Sequence, residues 1–417
     1  MHLEHLSLEN FRLFTRFARA LPRGPLLIVG PNAQGKTSLL EAIAYLATFS
    51  SFLARADREV IHLLALRQPL SVARIQAVCH REATAQAAAA SVRLEVRIIH
   101  QVKPAAPAHT RKQVLVNGVA RKMVDALGLC TVVLFVPQML RLVDGAPELR
   151  RRFLNQSLSQ AEPHYAATLL AYNRALAQRN ALLKAVQEGR ARAADLAVWD
   201  QTLAPLAARL MHARARALRD WNRLLTARHL ELLHRTEPLR LVYRPALDVP
   251  DAPSQGDLFG GHGPPEPPAE LLHDLNALTQ HLHDRLAQRH ALDIRRGNTG
   301  LGPQRDDFRF VAGGLDLAAY GSRGQVRTAL LLLKLAEAAW YTERTGRRPI
   351  LLLDDLLAEL DPRRRADILE HFLQAGTQVL LTATDVETYP AAHRPRTTIW
   401  HLHQGQVVEA QPAAAGL

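Results

Sequence analysis

Eight residues near the amino end, Gly30-Pro31-Asn32-Ala33-Gln34-Gly35-Lys36-Thr37, fit the pattern G-x-x-x-x-G-K-[ST], with Ser38 next in line. They stand between the apolar run "GPLLIVG" and the helix-like stretch "KTSLLEAIAYLATF". That setting gives the pattern its chemistry: glycines let backbone N–H groups converge on phosphates, and the helix that follows adds its dipole. Lys36 would neutralise the β- and γ-phosphates, and the Thr37 hydroxyl would ligate Mg²⁺. Such a loop calls for a second strand ending in an acid, and "ILLLDD" supplies Asp354 and Asp355. Asp354 would hold Mg²⁺ through water, while Asp355 is placed to orient or deprotonate an attacking water. Alone, an acidic pair after an apolar strand would serve equally as a helix cap. No Asn-Lys-x-Asp guanine-reading motif occurs, which favours ATP over GTP.

A second device lies almost three hundred residues later. In "AAYGSRGQVRTALLLLKLAEAAW", Ser322, Gly324 and Gln325 stand at the head of a long apolar helix. A helix amino end behind such a turn can grip an anion. By itself the turn also reads as a plain helix cap.

The elements around these groups fall into three stretches. The first thirty residues read as two strands, "HLEHLSLENF" with alternating apolar positions and the buried-type run before Gly30. "SVARIQAV", "VRLEVRII" and "QVLVNGVARK" continue the β-rich section, the last turning at Asn117-Gly118, and "TVVLFV" closes it. From Pro147 to Thr236 Leu and Ala recur at helical spacing, with Arg on the other faces. "PALDVPDAPSQGDLFGGHGPPEPPAE" then breaks the pattern as a Pro- and Gly-rich loop. One more helical stretch leads to the strand-like "DDFRFVAGGLDL", then to the buried-type runs "PILLLDD" and "TQVLLTATD". The expected organisation is an α/β nucleotide domain in two halves, 1–140 and 296–417, split by a helical insertion, 141–295, with its loop at about 245–270.

Composition narrows the partners. The 417 residues suffice for two or three domains, and 48% hydrophobic residues support a sizeable core. A net charge of +13 looks for a polyanion. Only six of the 52 basic residues are Lys, and Arg suits bidentate phosphate contacts. A GC-rich coding sequence would produce the same Arg and Ala excess. Cys79 and Cys130 are too few for a disulfide scaffold or a four-cysteine zinc site, which fits a reducing cytosol. His281 with His283, and His401 with His403, lack neighbours to complete a metal set. Charges from Glu4 onward leave no signal-peptide core, and no run reaches the ~18 apolar residues of a membrane helix. A soluble cytoplasmic protein is expected.

The phosphate loop, the acid-pair strand and the Ser-x-Gly-Gln turn in one chain resemble the ABC-type ATPases. In that class the turn reaches across a dimer to the γ-phosphate held by the partner, so two distant devices serve two subunits. Glu359-Leu360-Asp361 is similar to the dimer-contacting D-loop of the class, which would add Asp361 to the nucleotide site. The blocks "LENFRLF", "LVNGVARK", "VVLFVPQMLRLVDGAPELRRRFLNQSL", "GPQRDDFRF" and "LLLDDLLAELDPRR", in that order, resemble the RecF family from end to end. The resemblance implies a P-loop ABC-type ATPase head of mixed sheets and helices, interrupted by a mainly helical second lobe. It also implies an ATP-dependent homodimer on single- and double-stranded DNA at gaps and junctions, with slow ATP hydrolysis as a release switch. Recombinase loading with RecO and RecR, and SOS induction, belong to the same implication.

Three positions depart from the family pattern. Pro137-Gln138-Met139 stands where Pro-Glu-Asp is usual, and Gln138 there is a candidate water- and Mg²⁺-sensing catalytic residue. Gln304 replaces a His in the Gly-Pro-x-Arg-Asp-Asp block, and Ala358 stands where a Ser is common. Arg150, Arg151, Arg152, Arg174, Arg179, Arg209, Arg214 and Arg216 are candidates for DNA-backbone contact, though each singly reads as a solvated helix face. "QGDLF", Gln255 to Phe259, resembles the peptide by which bacterial proteins dock on the sliding clamp. The alternative reading, an ABC transporter's ATPase subunit, would not carry the Gly-Pro-x-Arg-Asp-Asp block or a basic helical insertion of this length.

Overall fold

The computed structural model describes residues 1–84, 88–103, 106–233, 239–247, 269–356, 362–373 and 376–414. The chain divides into two compact units, Met1–Met139 with Leu331–Leu417, and Leu140–Leu330.

The first unit opens with β1 (His2–Phe11), β2 (Phe14–Ala20), β3 (Leu26–Val29) and helix α1 (Lys36–Thr48). It continues with β4 (Leu70–Arg81), β5 (Ala90–Lys103), β6 (Ala106–Val116), β7 (Val119–Arg121), the short α2 (Met123–Ala126) and β8 (Val132–Phe135). β2-β1-β4-β5-β6-β7 form one antiparallel sheet. In β1, Leu6 and Leu8 are buried at period two, yet Leu3 is buried out of phase. A register shift between Leu3 and His5 accounts for it, since a bulge adds one residue and returns the apolar set to one face. Asn117 and Gly118 take φ +52° and +84°, the pair of positive values that a tight hairpin needs.

The second unit is mainly helical: α3 (Arg141–Asp144), α4 (Pro147–Ala161), α5 (Tyr165–Gln187) and α6 (Leu196–Leu233), then strand β9 (Leu239–Arg244), α7 (Ala269–His273), α8 (Leu275–Gln288) and α9 (His290–Arg296). β10 (Asp307–Ala312), β11 (Leu315–Asp316) and α10 (Leu317–Tyr320) follow, and α11 (Arg323–Thr345) starts here and ends in the first unit. β9 was not foreseen, although "LRLVYR" alternates as a strand should. It pairs along its whole length with β10, Asp307 opposite Arg244 and Ala312 opposite Leu239. That pairing corrects the expected boundary at 295: the Gly-Pro-x-Arg-Asp-Asp stretch belongs with the inserted unit, which runs to Leu330.

The same block corrects the reading of Arg150 and Arg214, and Asp200 and Asp293 correct that of Arg179. Arg150 is buried, donating to Asp307 at 2.6 and 3.0 Å and to the Gly145 carbonyl at 2.8 Å. Arg214 is buried against Asp306 at 2.8 Å, Asn155 at 2.9 Å and the Tyr165 hydroxyl at 3.1 Å. Arg179 is buried between Asp200 at 2.8 Å and Asp293 at 2.9 Å, with Thr299 at 2.8 Å. Arg151 and Arg216 are tied to Glu148 and Glu162. A guanidinium buried with its carboxylate partner joins elements together, and removing one member costs about 3–5 kcal/mol by leaving an uncompensated charge. Arg152, Arg174 and Arg209 are exposed. Gln304, in the departing position, serves its own loop: it accepts from the Tyr172 hydroxyl and donates to the Leu301 carbonyl at 2.8 Å.

The first unit closes with β12 (Ile350–Leu353), α12 (Pro362–Phe372), β13 (Val379–Ala383), β14 (Thr398–His403) and β15 (Gln406–Gln411). The second sheet has the order β15-β14-β3-β13-β12-β8, all parallel except β15. β3, β8, β12 and β13 are buried at every residue, which is why they read as unbroken apolar runs rather than alternating ones. Leu39, Leu40, Ile43 and Leu46 of α1 share one core with residues of both sheets, each worth about 1.5–3 kcal/mol of burial.

Candidate functional site

The phosphate loop is the bend by which β3 passes into α1. Gly30 is required by crowding, since a Cβ there would sit 2.4 Å from the Leu402 carbonyl oxygen. Gly35 is required twice over: its φ is +102°, and a Cβ would lie 2.7 Å from Leu13. As N-cap of α1, Gly35 offers no side-chain bond to the first turn. The amides of Lys36, Thr37 and Ser38 therefore keep their donor capacity for a ligand. Pro31, Asn32 and Ala33 are exposed at the rim. Gln34 ties the loop to the turn between β14 and β15, accepting from the Gln404 amide at 2.6 Å, while Gly405 donates to its carbonyl at 3.2 Å.

Lys36 is buried, and its ammonium donates to the Gly30 carbonyl and, at 3.0 Å, to that of Pro31. Burial lowers its pKa, against the upward pull of Asp355 and Asp354. The parallel sheet brings β12 beside β13 and β8, so the acid pair emerges at the carboxyl edge next to the loop. Thr37 Oγ1 lies 2.9 Å from both carboxylate oxygens of Asp354. Burial raises the Asp354 pKa, opposed by the Thr382 and Thr37 hydroxyls. Asp355 takes φ +48°, a left-handed value that turns the chain away from the strand at once. Thr382, which sequence reasoning passed over, holds both acids: its hydroxyl donates to Asp354 at 2.7 Å and accepts from the Asp355 amide at 2.9 Å. Its only sequence signal was a polar residue inside "VLLTA".

Two other supports were missed. Glu41 of α1 is fully buried and accepts from Arg12 Nε and Nη2, at 2.7 and 2.6 Å, which fixes α1 to the turn after β1. Arg12 itself has φ +53°. Gln138 is exposed in the short turn Pro137–Leu140 after β8. β8 is hydrogen-bonded to β12, with the Asp354 amide donating to the Phe135 carbonyl at 2.9 Å. Gln138 thus leaves the same sheet edge as the acid pair.

The Ser322 turn is a reciprocal cap. The Gln325 amide donates to Ser322 Oγ at 3.2 Å, and the Ser322 amide donates to Gln325 Oε1 at 2.8 Å. The two side chains thereby satisfy opposite ends of the first turn of α11. Ser322, Gly324 and Gln325 are all exposed. Gly324 has open space where a Cβ would be, with Ser322 Oγ at 3.9 Å as its one neighbour within 4 Å among the described residues. Asp361, with Glu359, and the stretch Gln255–Phe259 lie outside the described residues.

Comparison with known proteins agrees with this geometry. The family model described as "RecF/RecN/SMC N terminal domain" matches residues 2–406. The chain is 39% identical to the DNA replication and repair protein RecF of Chloroflexus aurantiacus, over 98% of this chain and 99% of that one. It is 38% identical to the RecF of Symbiobacterium thermophilum, over 98% of each. Among solved structures, the ATP complex of the recombination mediator protein RecF superposes with a TM-score of 0.81 at 27% identity, covering 98% of this chain and 97% of that one. Motif order, sheet topology and near full-length identity agree: the chain belongs to the RecF family of DNA replication and repair proteins.

Proposed function

We propose that the chain is an ATP-driven DNA-binding switch of recombinational repair and replication restart. ATP closes two copies on DNA, and slow hydrolysis releases them. The observation that carries this reading is the meeting of Thr37, Asp354 and Thr382 beside the Lys36 loop, together with a Ser322 turn that is capped and exposed. Lys36 and the first-turn amides of α1 hold the β- and γ-phosphates. Thr37 and Asp354 offer oxygen donors 2.9 Å apart, the hard ligands that suit Mg²⁺. When bound, Mg²⁺ would neutralise phosphate charge. Asp355 orients the attacking water, and Gln138 senses that water from the neighbouring turn. Ser322, Gly324 and the head of α11 engage the nucleotide of a second copy, with Asp361 at the shared face. DNA is held by its phosphate backbone. RecR and RecO are the expected partners in recombinase loading, and the sliding clamp is the expected partner of Gln255–Phe259. SOS induction would follow from that loading.

Light scattering with DNA and either ATP or ADP tests the core of it. Wild type should double in mass with ATP alone, and Ser322→Arg should remain a monomer while binding ATP normally. A mass indifferent to nucleotide and mutation would reduce the Ser322 turn to a helix cap.

A further inference from the structure

The mainly helical unit carries a basic groove of about 520 Å³ that the nucleotide chemistry does not use. One wall is α6, which presents Arg219 and Arg223 one helical turn apart. The other is β9, which contributes Arg240, and α7 contributes His273 at its end. No Asp or Glu is among the described residues lining it. The walls are fixed by Asn222, whose amide donates to the Leu241 carbonyl at 2.8 Å and accepts from the Leu241 amide at 2.7 Å. That pair of hydrogen bonds occupies the outward edge of β9 at Leu241, so an added strand finds no partner there. Arg219, Arg223 and Arg240 are exposed. The His273 ring lies 3.5 Å from Arg219 Nη1. Burial, and after it the Arg219 and His212 charges, keep its pKa below the ordinary value.

We infer that this groove binds the phosphate backbone of DNA, independently of base sequence. Three guanidinium groups facing one channel, two of them repeating along a helix, suit a linear polyanion whose charges also repeat. The inference rests on the proposed DNA binding and assigns it a place outside the ATP site.

The test is fluorescence anisotropy of the full chain on a labelled gapped duplex, with ATP, across a salt series. Arg219→Gln/Arg240→Gln should flatten the slope of log K against log[salt] by about 2, one unit for each phosphate no longer neutralised. The weakening should be equal for unrelated sequences, and Arg219→Lys/Arg240→Lys should restore most of the slope. ATP affinity and thermal midpoint should stay at wild-type values, which separates a weaker grip on DNA from a damaged fold. An unchanged slope in the Gln variant overturns the inference, including the case in which the groove captures poly-glutamate and is a seat for an acidic protein segment. A wild-type chain that binds no DNA in any nucleotide state would overturn the proposed function as well.

Discussion

The corner around Thr37 and the turn around Ser322 use similar polar groups for opposite purposes. In the corner Asp354 and Thr382 are buried and the groups bond to one another: Asp354 lies between the Thr37 and Thr382 hydroxyls, and Thr382 also receives the Asp355 amide. Such a network is costly to leave half-made, because each unpaired buried group pays its full desolvation. In the turn, Ser322 and Gln325 satisfy each other, and the whole turn is exposed. Two neighbouring glycines sharpen the contrast. A Cβ on Gly321 would lie 2.5 Å from the Leu317 carbonyl oxygen, so that glycine serves its own fold. Gly324 meets no such obstacle among the described residues, which fits the proposed approach of a second copy. The first is held together within the chain; under the proposed function the second serves another molecule.

The largest expected effect breaks the buried side of this comparison. Thr382→Val removes the hydroxyl shared by both acids and leaves the Asp355 amide and an Asp354 oxygen short of a partner. ATP hydrolysis should fall about 10–100-fold, the usual loss when a group orienting a ligand is removed. Nucleotide affinity, which the proposed function assigns to Lys36 and the loop amides, should change little. Thr382→Ser keeps the hydroxyl and should restore most of the rate. Equal loss of affinity and turnover in single-turnover assays would mean that Thr382 only supports the fold.

A smaller effect is expected on the exposed side. Ser322→Ala deletes the bond accepted from the Gln325 amide, worth about 1 kcal/mol as a helix cap. The melting midpoint should fall by a few degrees at most in a chain of this size, while ATP-dependent assembly is lost outright. Assembly that falls only in proportion to stability would leave the serine as a cap and nothing more.

What the sequence disclosed follows the same division. Gly30 to Thr37, Asp354 and Asp355 were legible because their roles are local: a loop, a helix start and a strand end, each with its own spacing rule. Thr382 was not, because its meaning depends on β13 lying beside β12, a pairing that joins residues far apart in the chain. Arg150, Arg179 and Arg214 were misjudged for a related reason. Helical periodicity places an arginine on a face, but burial depends on whether an acid from a distant loop, here Asp306 and Asp307 or Asp293, comes to meet it. β9 was hidden by standing beside the Pro- and Gly-rich stretch, whose strong loop signal overshadows a short alternating run.

Gly324→Ala gives the finest separation, because its two effects should have opposite signs. The φ of Gly324 is not in the left-handed region, and a methyl group has room, with its nearest neighbour at 3.9 Å. Alanine restricts the unfolded chain and favours the helix, so the isolated chain should gain up to about 0.5 kcal/mol, the low end for a first-turn position. Under the proposed function the same methyl group would stand where a second copy's nucleotide approaches, so ATP-dependent dimerisation should weaken. Urea unfolding of the monomer and light scattering with ATP measure the two separately. A variant that is both more stable and fully able to assemble would show that the open space at Gly324 faces nothing, and the outward reading of the turn would then rest on Ser322 alone.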